Sequence, residues 1–226
     1  MIKPFDTSLI MLYDSYEKQP IIKSLIQILS VNGLPVGSVV DTSLGVYVNN
    51  LKLNRLKCFF DELNSGNVEL TDDLIEQNAF LSAYFSTVHY IVRTRSDEKM
   101  RNFARILKKM NDKTINIDEF EDYTSIFNEL SEREFVILTV KYKYEQGLKE
   151  NINNLNPAEL TDSYWLEFKN EVCIKTGLSE KEFDPMLVRL QRTGCYNKHK
   201  GYWDDSPNEK GDTTELFKNL YNLIAQ

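Results

Sequence analysis

Two tetrapeptides of the form Ser-Glu-x-Glu constrain the fold of this chain more than any other feature. They are Ser131-Glu132-Arg133-Glu134 and Ser179-Glu180-Lys181-Glu182. In each, the serine and the glutamate three residues later can satisfy each other's free backbone N–H groups, which is the capping box that begins an α-helix. Apolar residues follow both boxes at helical spacing, so the sequence predicts a helix after each of them.

The composition extends this prediction to the whole chain. The 226 residues include only 9 glycines and 6 prolines, and helix-forming residues are abundant. Few turn-formers and many helix-formers are typical of a mainly α protein. The length fits one large domain or two small ones. We expect an N-terminal helical bundle over residues 1–115 and a second helical domain over residues 116–226.

The N-terminal part shows four helical segments. Apolar residues recur at helical spacing over Pro20–Val31, and a second pattern starts near Gly37 and reaches Leu63. Thr71 is a candidate N-cap for a third helix and Ser96 for a fourth, and acidic residues follow both in the first turn, where they favour the positive end of the helix dipole.

The C-terminal part shows three helices in close succession. The first begins at Ser131 and ends near Gly147, and the second ends at Gly177. The third begins at Ser179 and ends at Gly194. Glycine directly after an apolar helical pattern is a frequent helix C-terminus because it adopts the left-handed conformation without strain.

A hairpin or long loop follows these helices over Cys195–Asp212, and Thr213 or Thr214 caps a final helix. Three segments carry a resemblance here: ELSEREFVIL, WLEFKNEVCIKTGLS and EFDPMLVRLQRTGCY. Their order, three helices and then a polar aromatic hairpin, resembles the winged-helix domain over about residues 130–226. The resemblance implies a helix-turn-helix pair and a small β-hairpin wing.

The charge pattern disfavours DNA binding by such a domain. A recognition helix usually carries Arg, Lys, Asn or Gln near its start, whereas here Glu180, Glu182 and Asp184 stand there. Residues 116–226 hold 21 acidic and 13 basic side chains, a net charge of −8, and a DNA-binding module usually shows the reverse. The candidate nucleic-acid or partner contacts are basic residues at the end of this helix and in the wing: Arg189, Arg192, Lys198, His199 and Lys200.

A second basic feature is the amphipathic helix after Ser96. Its candidate contact strip consists of Arg101, Arg105, Lys108 and Lys109, which lie away from the apolar face at Met100, Phe103 and Leu107. One interpretation is a strip that contacts nucleic acid, anionic lipid or an acidic partner. The other, which we favour, is a solvated face that pairs with the protein's own excess of acid.

No catalytic or metal-binding motif marks the chain. The cysteines Cys58, Cys173 and Cys195 are widely spaced, the only histidines are His89 and His199, and no phosphate-binding glycine loop is present. The sequence therefore indicates no catalytic residue, no metal and no cofactor, and it favours a protein that is not an enzyme. An unmarked nuclease or toxin is the weaker alternative. The spacing of Arg192 and His199 is similar to a ribonuclease motif of helical toxins, but Gly194 between them is expected to end the helix.

The whole chain also resembles small uncharacterised helical proteins of bacterial phage-like or mobile elements. This resemblance implies a cytoplasmic bacterial protein, and no targeting or transmembrane segment is apparent in the sequence. We therefore predict a regulatory or adaptor protein that acts through protein-protein contacts, with a protein partner or self-association. The alternative is a DNA-binding transcriptional regulator that uses the winged helix.

Overall fold

The structure is a computed structural model that describes residues 7–31, 43–65, 77–149, 157–199 and 209–225. Within these ranges the chain forms ten α-helices and one two-stranded antiparallel sheet, which confirms a mainly α protein with a small hairpin. The chain divides into two compact units, Met1–Thr124 and Ser125–Gln226. The division lies inside a helix, whereas the sequence suggested a boundary between residues 115 and 116.

Five helices lie wholly in the N-terminal unit, and a sixth crosses the division. The five are α1 (Thr7–Asp14), α2 (Pro20–Val31), α3 (Ser43–Asn64), α4 (Asn78–Ile91) and α5 (Asp97–Asn111). The sixth, α6, spans Ile117–Glu129. The predicted helix starts near Gly37 and at Thr71 lie outside the described residues.

The core of the N-terminal unit is built from aromatic residues on α3, α4 and α5. Phe59, Tyr84 and Phe103 are fully buried. The rings of Phe59 and Tyr84 lie 6.4 Å apart, and the Tyr84 hydroxyl donates a hydrogen bond to the carbonyl oxygen of Leu25 on α2. Large aromatic side chains bury much apolar surface, and a buried tyrosine hydroxyl needs a partner. This core therefore ties α2 to the α3–α4 pair.

Four helices and the hairpin make up the rest of the C-terminal unit. The helices are α7 (Glu132–Lys149), α8 (Pro157–Thr176), α9 (Glu180–Arg192) and α10 (Glu215–Ile224), and the strands β1 (Tyr196–Lys198) and β2 (Gly211–Thr213) lie between α9 and α10. The strands pair antiparallel, with Tyr196 opposite Thr213 and Lys198 opposite Gly211.

The helix starts in this unit are set by the predicted caps. The Ser131 N–H donates to Glu134 at 2.7 Å, and the Ser179 N–H donates to Glu182 at 2.9 Å. The Thr214 side chain accepts the Phe217 N–H, one of the free N–H groups in the first turn of α10. Because these bonds satisfy backbone donors that a helix N-terminus leaves unpaired, short polar sequences fix where α7, α9 and α10 begin.

Two glycines end the helices before the turn and before the hairpin. Gly177 and Gly194 adopt φ angles of 69° and 73°, which a side chain would strain. Gly177 reverses the chain between α8 and α9 within three residues, and Gly194 turns it from α9 into β1. The predicted helix ends at these positions are therefore confirmed.

The core of the C-terminal unit packs α8 and α9 together through aromatic contacts. Phe168 and Phe183 are fully buried with ring centroids 5.6 Å apart, and Trp165 lies 5.9 Å from Phe183. Phe217 of α10 packs edge-on against Phe135 of α7. These contacts bury the inner faces of the helices and leave their outer faces exposed.

None of the described helices is both long enough and apolar enough to cross a membrane.

Candidate functional site

The segment with the most candidate contact residues is the end of α9 together with the hairpin. Arg189 and Arg192 lie in the last turn of α9, Lys198 ends β1, and His199 follows it. The structure thus places these four in two consecutive elements, as the sequence predicts. Lys200 lies outside the described residues.

Most of these four side chains are held by carboxylates of the same unit. Arg189 Nε lies 2.9 Å from Glu134 Oε1, and Lys198 Nζ lies 2.8 Å from Glu209 Oε1. His199 Nε2 lies 2.6 Å from Asp212 Oδ2. Arg192 is exposed and forms no ion pair with a described residue. The charge available to an external phosphate is therefore smaller than the residue types suggest.

Glu209 joins α9 to the hairpin. Its Oε1 accepts from Lys198, and its Oε2 accepts from the side-chain amide of Gln191 on α9 at 2.8 Å. Its backbone carbonyl oxygen accepts the hydroxyl of Tyr196 at 2.6 Å. Both carboxylate oxygens are thus engaged, and the Glu209 side chain is only 15% exposed.

Glu134 has two functions in the fold. Its Oε2 accepts the Ser131 N–H at the start of α7, and its Oε1 faces Arg189 of α9. The Glu134 side chain is 1% exposed, and Oε1 accepts no aligned hydrogen bond from a described residue. Glu134 and Arg189 therefore attract each other as opposite charges, without an aligned hydrogen bond. Their attraction draws the Nε atom of Arg189 to the start of α7, while the arginine side chain stays 49% exposed.

A buried ion cluster connects the hairpin to α7 and α8. The Lys141 side chain on α7 is completely buried; its ammonium group lies 3.0 Å from Asp212 Oδ1 and 3.1 Å from Glu145 Oε1, and it donates to the Tyr164 hydroxyl. Thr161 of α8 donates to the same Asp212 oxygen at 3.0 Å. Glu145 also accepts the N–H and the hydroxyl of Thr213. β2 is thus attached to two helices mainly by polar contacts.

The protonation states in this cluster follow from its charges. Burial by itself lowers the pKa of Lys141, but Glu145, Tyr164 and Asp212 outweigh that effect and hold the pKa above its ordinary value. Burial likewise raises the pKa of Asp212, but the charge of Lys141 and the bonds from His199 and Lys141 bring it below its ordinary value. Both groups are therefore ionised at neutral pH, which suits an attachment point and not a proton-transfer site.

The spacing of Arg192 and His199 does not create a nuclease-like pair. α9 ends at Arg192, Gly194 turns the chain, and His199 lies beyond β1 with its ring on Asp212. The two residues therefore do not share a helix, which a convergent Arg-His pair of that spacing requires. Among the described residues, no group of three or more His, Cys, Asp or Glu side chains is placed to hold a metal ion.

The basic strip on α5 has partners on α3. Arg105 Nε lies 2.9 Å from Glu62 Oε1, and Lys108 donates to the carbonyl oxygens of Glu62 and Ser65. Arg101 is exposed, whereas Lys108 is only 8% exposed. Lys108 is therefore an exception to the solvent-facing position expected for all four residues. Its aliphatic stem packs inward while its ammonium group donates to backbone carbonyls at and just after the C-terminal end of α3.

Two adjoining grooves of about 390 and 580 Å³ lie along α3 and α5. Both are lined by Asn54, Cys58 and Asp97, and Arg101 contributes to the smaller one. Burial raises the pKa of the Cys58 thiol even though Arg101 acts in the opposite direction. The thiol is therefore protonated at neutral pH and is a poor nucleophile.

The exposed apolar side chains of the C-terminal unit lie on the helix pair α8–α9. Leu166 and Ile174 on α8 are 70% and 83% exposed, and Val188 on α9 is 53% exposed. Leu166, Asn170 and Ile174 follow an i, i+4, i+8 spacing, so they lie in one row on the face of α8 opposite Phe168. We call this row, together with Val188, the outer face of α8–α9.

Sequence reasoning missed this outer face and the carboxylates that neutralise the wing. The periodic apolar pattern of α8 predicts its buried residues Trp165, Phe168 and Val172, and Leu166 and Ile174 are apolar residues outside that pattern. The Lys141–Glu145 spacing of four residues indicates an i, i+4 ion pair, but the burial of Lys141 and its bond to Asp212 depend on packing.

Comparison of the chain with protein-family models, curated proteins and solved structures finds no match.

Proposed function

We propose that this protein is a regulatory or adaptor protein that acts through protein-protein contacts, and that the outer face of α8–α9 contacts the partner. The observation that carries the proposal is the contrast between the two surfaces of the C-terminal unit. Arg189 near the end of α9 and Lys198 in the hairpin are paired with carboxylates of the unit, whereas Leu166, Ile174 and Val188 are exposed. Apolar residues that adjoin on an exposed surface are typical of protein contact sites, and Leu166 and Ile174 lie two helical turns apart on one face of α8.

The order of elements supports a winged-helix arrangement for this unit. In our proposal α8 and α9 form the helix-turn-helix pair, and β1 and β2 form the wing. The acidic start of α9, with Glu180 and Glu182 exposed in its first turn, disfavours insertion into a DNA groove because phosphates surround that groove. The resemblance to proteins of phage-like and mobile elements is the basis for proposing a bacterial, mobile-element setting.

The test compares Leu166→Asp/Ile174→Asp with the wild type in a pull-down from the native host. A matched control, Ser125→Asp/Asn222→Asp, adds the same charge at two exposed positions of the same unit outside α8 and α9. We expect a stoichiometric protein partner with the wild type and the control, and loss of that partner with the α8 variant. A photo-crosslinking residue at position 166 should form a covalent adduct with the same partner, and one at position 222 should not.

Retention of the partner by Leu166→Asp/Ile174→Asp, together with no adduct at position 166, would contradict the proposal. So would recovery of DNA in place of protein, released between about 50 and 200 mM salt.

A DNA-binding regulator is the second candidate, and one observation favours it. Arg192 is exposed in the last turn of α9, and Arg189 keeps 49% of its side chain accessible despite its ion pair. Arg192→Glu is the clean test, because Arg189→Glu would place a second carboxylate beside buried Glu134. For a regulator this change should abolish DNA binding, and for an adaptor it should leave a background signal unchanged.

A further inference from the structure

The larger of the two grooves in the N-terminal unit lies where α3 meets the start of α5, and two contacts fix its walls. The Cys58 thiol on α3 donates to the carbonyl oxygen of Asp97 at 3.8 Å. Arg55 Nη1, one turn earlier on α3, donates to the carbonyl oxygen of Val92 at 2.6 Å. The groove of about 580 Å³ follows this junction, and its volume lies in the range of small-molecule sites, about 300–1,000 Å³.

The charged side chains that line this groove are mainly basic. They are Arg55, Arg95 and Asp97, which together give a net charge of +1. Arg95 is exposed, and among the described residues it has no ion-pair or hydrogen-bond partner. Arg55 commits only one of its N–H groups to Val92. The groove therefore presents guanidinium donors for which the described part of the chain supplies no acid.

The same groove has an apolar wall. Leu51 on α3 is partly exposed, and Met100 on α5 is buried beneath the groove. Sites for small organic ligands combine apolar surface, which covers the body of the ligand, with a few polar groups that fix its orientation. A planar guanidinium matches the geometry of a carboxylate or a phosphate. The groove therefore suits a ligand that has an anionic group and an apolar body.

The adjoining smaller groove has the opposite charge balance. Lys57 and Arg101 line it with three acids, Asp61, Glu62 and Asp97, so its net charge is −1. Asp61 and Glu62 accept from side chains outside the groove and thus stay close to it as fixed negative charges. Of the two grooves, only the larger one favours an anion.

We propose that the larger groove is a binding site for a small organic anion. A carboxylate or phosphate group binds Arg95 and Arg55, and the apolar body of the ligand packs against Leu51 and Met100. The proposal goes beyond the proposed function and does not depend on it. Its residues lie in the N-terminal unit, whereas the outer face of α8–α9 belongs to the C-terminal unit.

The test uses Cys58 as a reporter, because its side chain lines the groove. In the full-length protein, the rate of Cys58 alkylation by N-ethylmaleimide is measured by mass spectrometry in the presence of four compounds. Phenyl phosphate and benzoate have both an anionic group and an apolar ring, and they distinguish phosphate from carboxylate. Inorganic phosphate lacks the ring, and benzyl alcohol lacks the charge. Cys173, a partly exposed thiol on α8, is the internal control.

We expect phenyl phosphate, benzoate or both to protect Cys58. Compounds of this size bind a matching site with a Kd of about 1 mM, so about 10 mM should slow alkylation of Cys58 about tenfold. Cys173 should keep its rate. Inorganic phosphate and benzyl alcohol should slow the reaction of Cys58 by about twofold or less, because each makes only part of the contacts.

Two variants with the same change in net charge test the role of Arg95. Arg95→Gln should reduce the tenfold protection to about twofold or less, because a charge-assisted hydrogen bond is lost. Arg93→Gln is the matched control, since Arg93 is also exposed but lines neither groove, and it should keep the full protection. The four compounds test the wild type in the same way if a variant does not fold.

Four results would overturn the proposal. The first is an unchanged rate of Cys58 with both phenyl phosphate and benzoate, and the second is equal protection of Cys173. The third is equal loss of protection in Arg95→Gln and Arg93→Gln, which would assign the effect to net charge. The fourth is full protection by benzyl alcohol, which would show that the groove has no preference for an anion.

Discussion

At the scale of single residues, Asp212 joins three parts of the C-terminal unit through one carboxylate. Oδ1 lies 3.0 Å from Lys141 of α7 and accepts the Thr161 hydroxyl of α8, and Oδ2 lies 2.6 Å from His199. A completely buried ammonium group such as that of Lys141 loses hydration worth several kcal/mol, which only well-placed acceptors offset. The cluster therefore holds the hairpin against α7 and α8.

The lowered pKa of Asp212 predicts how stability depends on pH. Because its pKa in the folded state lies below the ordinary value of 3.8, the ionised carboxylate stabilises the fold fully above about pH 4. That contribution is lost as the pH falls through the folded-state pKa. The Tm difference between the wild type and Asp212→Asn should therefore be large at pH 6 and shrink by pH 2.5.

The control for this prediction is Glu121→Gln, at an exposed acid of α6. Its Tm difference from the wild type measures, at each pH, the effect of removing one exposed carboxylate outside the cluster. A difference for Asp212→Asn that is constant down to pH 2.5 would show that the carboxylate is not stabilised by the cluster.

At the scale of elements, the hairpin depends on a close backbone approach at Gly211. A side chain there would overlap the carbonyl oxygen of Asn197 and lie 2.8 Å from the Cα atom of Lys198, both on β1. These are backbone atoms, so they cannot move aside as the end of a flexible side chain can. The glycine is therefore required for the β1–β2 pairing, although its φ angle is not in the left-handed region.

Gly211→Ala should destabilise the protein by about 1–3 kcal/mol, the usual cost of overpacking. Gly147→Ala is the matched control, because a Cβ atom at Gly147 in α7 meets nothing within 4 Å. Alanine is the better helix former by up to about 1 kcal/mol, so this change should stabilise. Urea denaturation measures the free energy of unfolding of both variants. Equal changes of the same sign would contradict the requirement for glycine at position 211.

At the scale of the whole molecule, each compact unit has its own apolar core. Phe59 and Phe103 are fully buried in the N-terminal unit, and Phe168 and Phe183 are fully buried in the C-terminal unit. Helix α6 contains the division, with Phe120 buried before it and Phe127 buried after it. One continuous helix therefore contributes side chains to both units.

Loss of one core should be visible in that unit first. Phe168→Ala should cost about 3–5 kcal/mol through lost burial and the remaining cavity. Hydrogen exchange followed by mass spectrometry should show faster exchange in α7–α9, while α3 and α5 keep wild-type protection. Uniform acceleration in both units would mean that the chain unfolds as a single cooperative body.

Several helix starts and ends within the described residues are the features that the sequence determined by itself. The two capping boxes, the caps at Ser96 and Thr214, and the glycines at 177 and 194 act through backbone groups within a few residues, so local sequence is sufficient to predict them. The segment after α9 is rich in Tyr, Trp, Lys, Asp and Gly, which predicts a hairpin or a long loop, and β1 and β2 pair there as a hairpin. The winged-helix assignment and the contact role of Arg189, Arg192, Lys198, His199 and Lys200 stay predictions.

Tertiary structure alone decided which charges are neutralised and which apolar side chains are left exposed. The pairs of Glu134 with Arg189 and Lys141 with Asp212 join residues 55 and 71 positions apart, and no local periodicity encodes such a distance. Lys108 is buried because α3 offers carbonyl acceptors to it. Leu166 and Ile174 remain exposed because α8 buries its opposite face. Whether a charge is paired or an apolar residue is covered depends on the packing of distant elements, and that is fixed only when the chain has folded.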